Sequence, residues 1–159
     1  MIYRVVRTVL KQKKDPGLYE YLDHHMHLSN NLYNATLIRI RQNFTSRKKE
    51  HLTENELEVQ REIEETLELC PHLKRPKSVL SYKFLERMMR VMDNPDFFAG
   101  LPSQTAEECQ KAAVHDFRSW LASLREYKKH PEKYLEKPKM PHYKKKRSIS
   151  TIKIGRAHV

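Results

Sequence analysis

Ser103-Gln104-Thr105-Ala106-Glu107-Glu108-Cys109-Gln110-Lys111-Ala112-Ala113-Val114-His115-Asp116-Phe117-Arg118-Ser119-Trp120-Leu121-Ala122-Ser123-Leu124 is the stretch on which the fold turns. Ala106, Cys109, Ala113, Phe117, Trp120, Leu121 and Leu124 recur at three- and four-residue steps, which makes one apolar stripe along an α-helix. Lys111, His115, Arg118 and Arg125 fall away from that stripe. Ser103 is a good N-cap behind Pro102, Thr105-Ala106-Glu107-Glu108 offers an alternative capping box, and Pro131 marks the end. A long helix with one apolar stripe needs partners to cover it.

Upstream, three more helices are predicted. Residues 18–44 carry Leu18, Leu22, Leu28, Leu32, Ala35 and Ile38 or Ile40 at helical spacing. Thr53-Glu54-Asn55-Glu56 is a capping box that opens a second helix over Leu57, Ile63, Leu67 and Leu69, and Pro71 stops it. Its acids suit a helix N-terminus facing solvent. A third is expected over 76–92 on Val79, Leu80, Phe84, Met88 and Val91, with Asn94-Pro95 and Gly100 bracketing a short linker.

At the two ends the period changes. Residues 2–10 alternate β-branched and aromatic residues with Arg4 and Arg7 and read as a strand with one basic face, and 11–17 as a turn. Residues 137–147 mix proline, aromatic and cation and cannot be helical; 148–154 alternate again as a short strand. The expected fold is mainly α: about four helices flanked by an N-terminal and a C-terminal β-strand.

The chain has 159 residues, 38% hydrophobic and 32% charged, with 3 Gly and 8 Pro. That allows one ordinary domain with a thin core between long helices. A formal charge of +11 and a pI near 9.7 draw in polyanions, of which nucleic acid is the usual one. The charge is uneven. Residues 1–14 hold Arg4, Arg7, Lys11, Lys13 and Lys14 without an acid, and 125–147 hold ten Lys/Arg against three Glu, while 50–68 hold eight Glu opposed by Arg61.

Enzymatic chemistry finds little support. Cys70 and Cys109 are isolated, which argues against a zinc ribbon or a disulfide framework and suits a reducing cytoplasm. His24, His25 and His27 stand close together, but HExxH and paired cysteines are absent, so helix-surface histidines are the better reading. No GxSxG and no glycine-rich phosphate loop occurs, and no apolar run approaches membrane-spanning length. The expectation is a cytoplasmic binding protein, monomeric, with no cofactor and no membrane partner.

Two segments are candidate contacts for nucleic acid. In 137–147, Lys139, Lys144, Lys145, Lys146 and Arg147 would neutralise phosphates, prolines would keep the chain extended, and Tyr143 could stack on a base. At the start of the fourth helix, Ser103, Gln104, Glu107 and Lys111 are of types that meet base edges in a major groove, with Arg118 further along. Composition leaves open whether the first of these merely cap the helix. Arg4, Arg7, Lys13 and Lys14 complete the set.

Leu101-Pro102-Ser103-Gln104-Thr105-Ala106, Phe117-Arg118-Ser119-Trp120-Leu121, Tyr127-Lys128-Lys129-His130-Pro131-Glu132-Lys133 and Lys137-Pro138-Lys139-Met140-Pro141-His142-Tyr143-Lys144-Lys145-Lys146 together resemble the N-terminal region of TnpB (OrfB). TnpB proteins are transposon-encoded relatives of compact type V CRISPR effectors. Ser29-Asn30-Asn31-Leu32-Tyr33-Asn34-Ala35-Thr36 and Ile38-Arg39-Ile40-Arg41-Gln42 resemble the family's first helix.

The resemblance implies a wedge strand and turn over 1–15, a helical recognition insertion over 16–130, and a basic segment returning to an incomplete wedge β-barrel over 131–153. It implies guide RNA and target duplex DNA as partners, with Ser103, Gln104 and Glu107 near the target-adjacent motif. The family often has Gln where Glu107 and Glu108 stand. The RuvC-like nuclease domain with Mg2+ and the CxxC finger with structural Zn2+ would lie beyond residue 159, so this fragment is expected to bind without cutting. An independent basic helical DNA-binding regulator is the alternative. Residues 154–159 match one reading frame of a common sequencing adapter (ATCGGAAGAGCACACGTC), so the native frame is expected to stop near Lys153 in a truncated reading of a longer gene.

Overall fold

A computed structural model describes residues 8–145 and 148. Four helices make up most of it: α1 (Pro16–Ser46), α2 (Glu54–Leu69), α3 (Tyr82–Val91) and α4 (Ser103–Lys129), the last followed by a 3-10 turn at Pro131–Lys133. No strand occurs among the described residues. The strands expected over 2–10 and 148–154 fall mostly outside them, and Thr8, Val9 and Leu10 are not in a strand.

α1 packs against α4 and α2, and α3 closes the ring between α2 and α4. Tyr33, Leu37 and Ile40 meet Val59 and Ile63, Phe84, Leu85 and Met88, and Ala113, Val114 and Phe117 in one core, which Leu80 plugs from the α2–α3 connection. Phe117 is the hub: its ring meets Phe44 and Trp120 edge-on at 5.3 and 5.1 Å. The expected stripe of α4 is the buried face, with Cys109, Trp120, Leu121 and Leu124 at its half-buried margin.

Three expectations are corrected. α1 is about 46 Å long at 1.5 Å per residue, and no residue before Ser29 is buried. Leu18 is therefore exposed, as is Ile38, while Ile40 lies in the core. On α2 the buried face is Glu56, Val59, Ile63 and Thr66, which leaves Leu57 and Leu69 exposed. α3 starts at Tyr82, not near Pro76. The Asn43 side-chain amide donates to the carbonyls of both Lys77 and Ser78 at 3.1 Å, holding them as connection, and Ser81 caps the helix through the Phe84 N–H.

The capping box at Thr53 is present, but Glu56 is buried where a solvated carboxylate was expected. Its oxygens accept from Lys49 Nζ (2.7 Å), Thr45 Oγ1 (2.6 Å), and the Thr53 N–H and hydroxyl (2.9 and 3.0 Å). Those donors, Lys49 first, hold its carboxyl down to about 2. Arg39 pairs Glu62 through two nitrogens at 2.8 and 2.6 Å, a second polar tie between α1 and α2.

Candidate nucleic-acid interface

The basic segment after α4 is a strap laid along the bundle. Trp120 Nε1 donates to the Pro138 carbonyl at 3.1 Å, and Met140 packs on the core. Arg41 reaches the Pro141 carbonyl at 3.4 Å and lies over the Tyr143 ring at 4.7 Å. Asn34 donates to the Lys144 carbonyl and accepts from the Lys144 N–H, both at 2.8 Å. Asn30 donates to the Ser148 carbonyl at 2.9 Å.

Contacts at 41, 34 and 30 of α1 thus meet 141, 144 and 148 of the strap, so the two run antiparallel. Seven helical residues rise about 10.5 Å and three extended ones span about 10 Å, so the register of 141–144 against 34–41 follows from backbone geometry. The prolines supply the extension, and Lys139, Tyr143 and Lys145 are left exposed.

α4 presents a second basic row. Lys111, His115, Arg118, Ala122, Arg125 and Lys129 are all exposed. At 100° per residue they lie within about 80° of arc and run about 27 Å along the helix. Among the described residues Arg118, Arg125 and Lys129 carry no ion pair.

Two hollows flank the row, and Lys111 and His115 line both. One, of about 410 Å³, lies against Tyr82, Arg118 and Ala122. The other, of about 460 Å³, lies against Tyr33, Cys109, Asp116 and Lys144. The strap and the α4 row meet at this second hollow. Inside it the Tyr33 hydroxyl donates to Asp116 at 2.7 Å. Burial first, then that carboxylate, pushes the phenol well above its ordinary range. Burial also raises the Cys109 thiol.

The candidates from sequence are distributed unevenly over this surface. Ser103 and Gln104 are exposed on the first turn of α4, where Ser103 makes no side-chain cap and Pro102 holds the cap position. Lys111 is not a free cation: Glu107 pairs it at 2.5 Å and Glu108 stands at 3.9 Å. The bond it donates to Glu107 raises its ammonium above the ordinary value. Lys144 turns inward and lies 4.3 Å from the centre of the Tyr33 ring. Lys139 pairs with Glu136 at 2.9 Å.

Lys13 and Lys14 are exposed ahead of α1, roughly 21 Å of helix from Asn30. Arg4, Arg7, Lys146 and Arg147 lie outside the described residues. His115, Arg125 and Lys129 join the surface without having been candidates, although their three-, seven- and eleven-residue steps from Arg118 carry the signal. Asn34, Asn30 and Arg41, which hold the strap, have no local signature. Among the described residues no group of three or more His, Cys, Asp or Glu could hold a metal ion, and no helix is long and apolar enough to cross a membrane.

The class defined so far is a ring of four helices carrying an extended basic strap. Comparison with protein-family models, with curated proteins and with solved structures found no match to the chain.

Proposed function

We propose that the chain is a nucleic-acid-binding module: the part of a TnpB-like RNA-guided DNA endonuclease that holds guide RNA and approaches the target-adjacent motif. The observation that carries this reading is the strap. A segment rich in lysine would by itself repel its own charges and stay solvated. Here side chains of α1 and α4 fix its backbone, so Lys139 and Lys145 are presented in register along the bundle. Fixed cations on a rigid scaffold favour a polyanionic ligand, because less order must be imposed on binding. Of the motif residues quoted above, 103–106 lie on the first turn of α4 and 137–145 on this strap, which supports reading the two together.

In this reading Ser103 and Gln104 meet base edges, and the fragment binds without cutting. Cleavage, with Mg2+ and a structural Zn2+, belongs to a further part of the parent protein.

The test is binding over a salt series to a structured RNA from a transposon end and to duplex DNA in parallel. Preference for the structured RNA is expected. Tight, sequence-specific duplex binding without that preference would replace this reading with the basic DNA-binding regulator. Loss of all binding at moderate salt would remove both.

A further inference from the structure

The outer faces of α2 and α4 carry charge of opposite sign in the same spacing. On α2 the exposed outer row is Glu54, Glu58, Arg61, Glu65 and Glu68. On α4 it includes His115, Arg118, Ala122, Arg125 and Lys129. Both rows advance by alternating steps of four and three residues, the period at which two packed helices stay face to face. Each row rises about 21 Å from end to end at 1.5 Å per residue.

Laid antiparallel, the rows match position by position. Glu54 falls opposite Lys129, Glu58 opposite Arg125, Glu65 opposite Arg118 and Glu68 opposite His115. Arg61, the one base of the α2 row, falls opposite Ala122, the one position of the α4 row without an ionisable side chain. Other registers lose this match. A shift of one heptad either way sets Glu68 against Glu108 or Arg61 against Lys129, and a parallel pairing sets Arg61 against Arg118.

Within one chain the two rows do not meet, because α1 and α3 separate α2 from α4 in the ring. Apart from His115, which stands 3.6 Å from Asp116, no member of either row has an ion pair among the described residues. A formal charge of +11 makes two copies repel in most orientations, so this register is the attractive exception.

From this complementarity we infer that the chain associates with a second copy of itself, the acidic row of α2 docking antiparallel on the basic row of α4. The contact is heterologous. A copy that offers α2 keeps its own α4 row free, so association continues head to tail rather than closing as a dimer. Exposed ion pairs are individually weak and screened by salt, so the contact forms at low salt and dissolves at moderate salt. It needs no nucleic acid and stands or falls apart from the function proposed above.

The experiment is sedimentation velocity on nuclease-treated protein, at low and at moderate salt, over a range of concentrations. Nuclease treatment removes polyanions that would bridge copies. At low salt the intact chain should sediment as species heavier than one chain that grow with concentration; at moderate salt it should be a single chain. Two charge reversals, Glu58→Lys/Glu65→Lys and Arg118→Glu/Arg125→Glu, fall at exposed positions, and circular dichroism checks that both keep the fold. Each alone should remain a single chain at low salt. An equal mixture should associate again, because the two reversed rows then complement each other. Ala122→Glu tests the register. An acid added to a basic row weakens a diffuse attraction, whereas here it should tighten association several-fold by meeting Arg61. If a reversal unsettles the fold, the salt series and Ala122→Glu still decide. A single chain at low salt, reversals that associate as the intact chain does, a mixture that stays apart, or weaker association of Ala122→Glu each overturns the inference.

Discussion

The side-chain amide of Asn34 and the backbone of Lys144 exchange two hydrogen bonds of 2.8 Å, one in each direction. One asparagine thereby satisfies both polar groups of a strap residue as a β-strand neighbour would, and does so from a helix. Because it sits between the Arg41 and Asn30 contacts, it sets the register of the strap. Asn34→Ala should remove both bonds and cost about 1–3 kcal/mol. Amide hydrogen exchange is the direct check: the Lys144 N–H should lose protection in the variant while the Phe117 N–H keeps it.

Glu56 sets an acid limit on stability. Its carboxyl is held down to about 2 from an ordinary 4.5, so the folded state favours the ionised form. The stabilisation is fully present above about 4.5 and is lost as the pH falls toward about 2, with a magnitude on the order of 2 kcal/mol. Glu56→Gln should lower stability at neutral pH and remove this part of the pH dependence. Urea unfolding of both proteins between pH 2 and 6 checks it, and their curves should converge at the acid end.

Gln110 is fully buried on α4, and neither its side-chain oxygen nor its nitrogen has a hydrogen-bond partner among the described residues. Burying an unsatisfied amide costs about 1–3 kcal/mol. Gln110→Met keeps the length of the side chain and removes both polar atoms. It should raise the thermal midpoint by several degrees, as read by circular dichroism.

Glu107 and Glu108 restrain Lys111. With Glu107 at 2.5 Å the ammonium is already paired, and both carboxylates repel an approaching phosphate. Glu107→Gln/Glu108→Gln should tighten binding to duplex DNA and steepen its salt slope by about 1 as Lys111 becomes available. Fluorescence anisotropy at several salt concentrations would register the change.

Much of the fold is readable from the sequence because its signals are local. The apolar steps of α4 and the Thr53 capping box each act within one helix, and proline at 138 and 141 excludes helix from the strap on its own. Where the structure departs from the local pattern, distant partners decide. Nothing near Pro76 signals that Asn43 will hold the carbonyls of Lys77 and Ser78. Leu18, Ile38 and Leu57 fit an apolar pattern, but α1 outruns the bundle at its start and only the packed face of each helix finds a neighbour. The candidate site divides in the same way. Glu107 stands one turn from Lys111, so that pairing was open to sequence reasoning. The placement of Lys144 over Tyr33 joins residues from opposite ends of the chain and was not.

The central claim is that fixed cations of the strap and of α4 hold nucleic-acid phosphates. The most direct measurement is the affinity of the chain for a structured RNA and for a DNA duplex from low to moderate salt, beside a Lys139→Ala/Lys145→Ala variant that removes the exposed strap cations. Log affinity should fall linearly with log salt, with a duplex slope of about −4 or steeper for the intact chain and a clearly shallower one for the variant. A slope near zero, or one that the variant leaves unchanged, would contradict it.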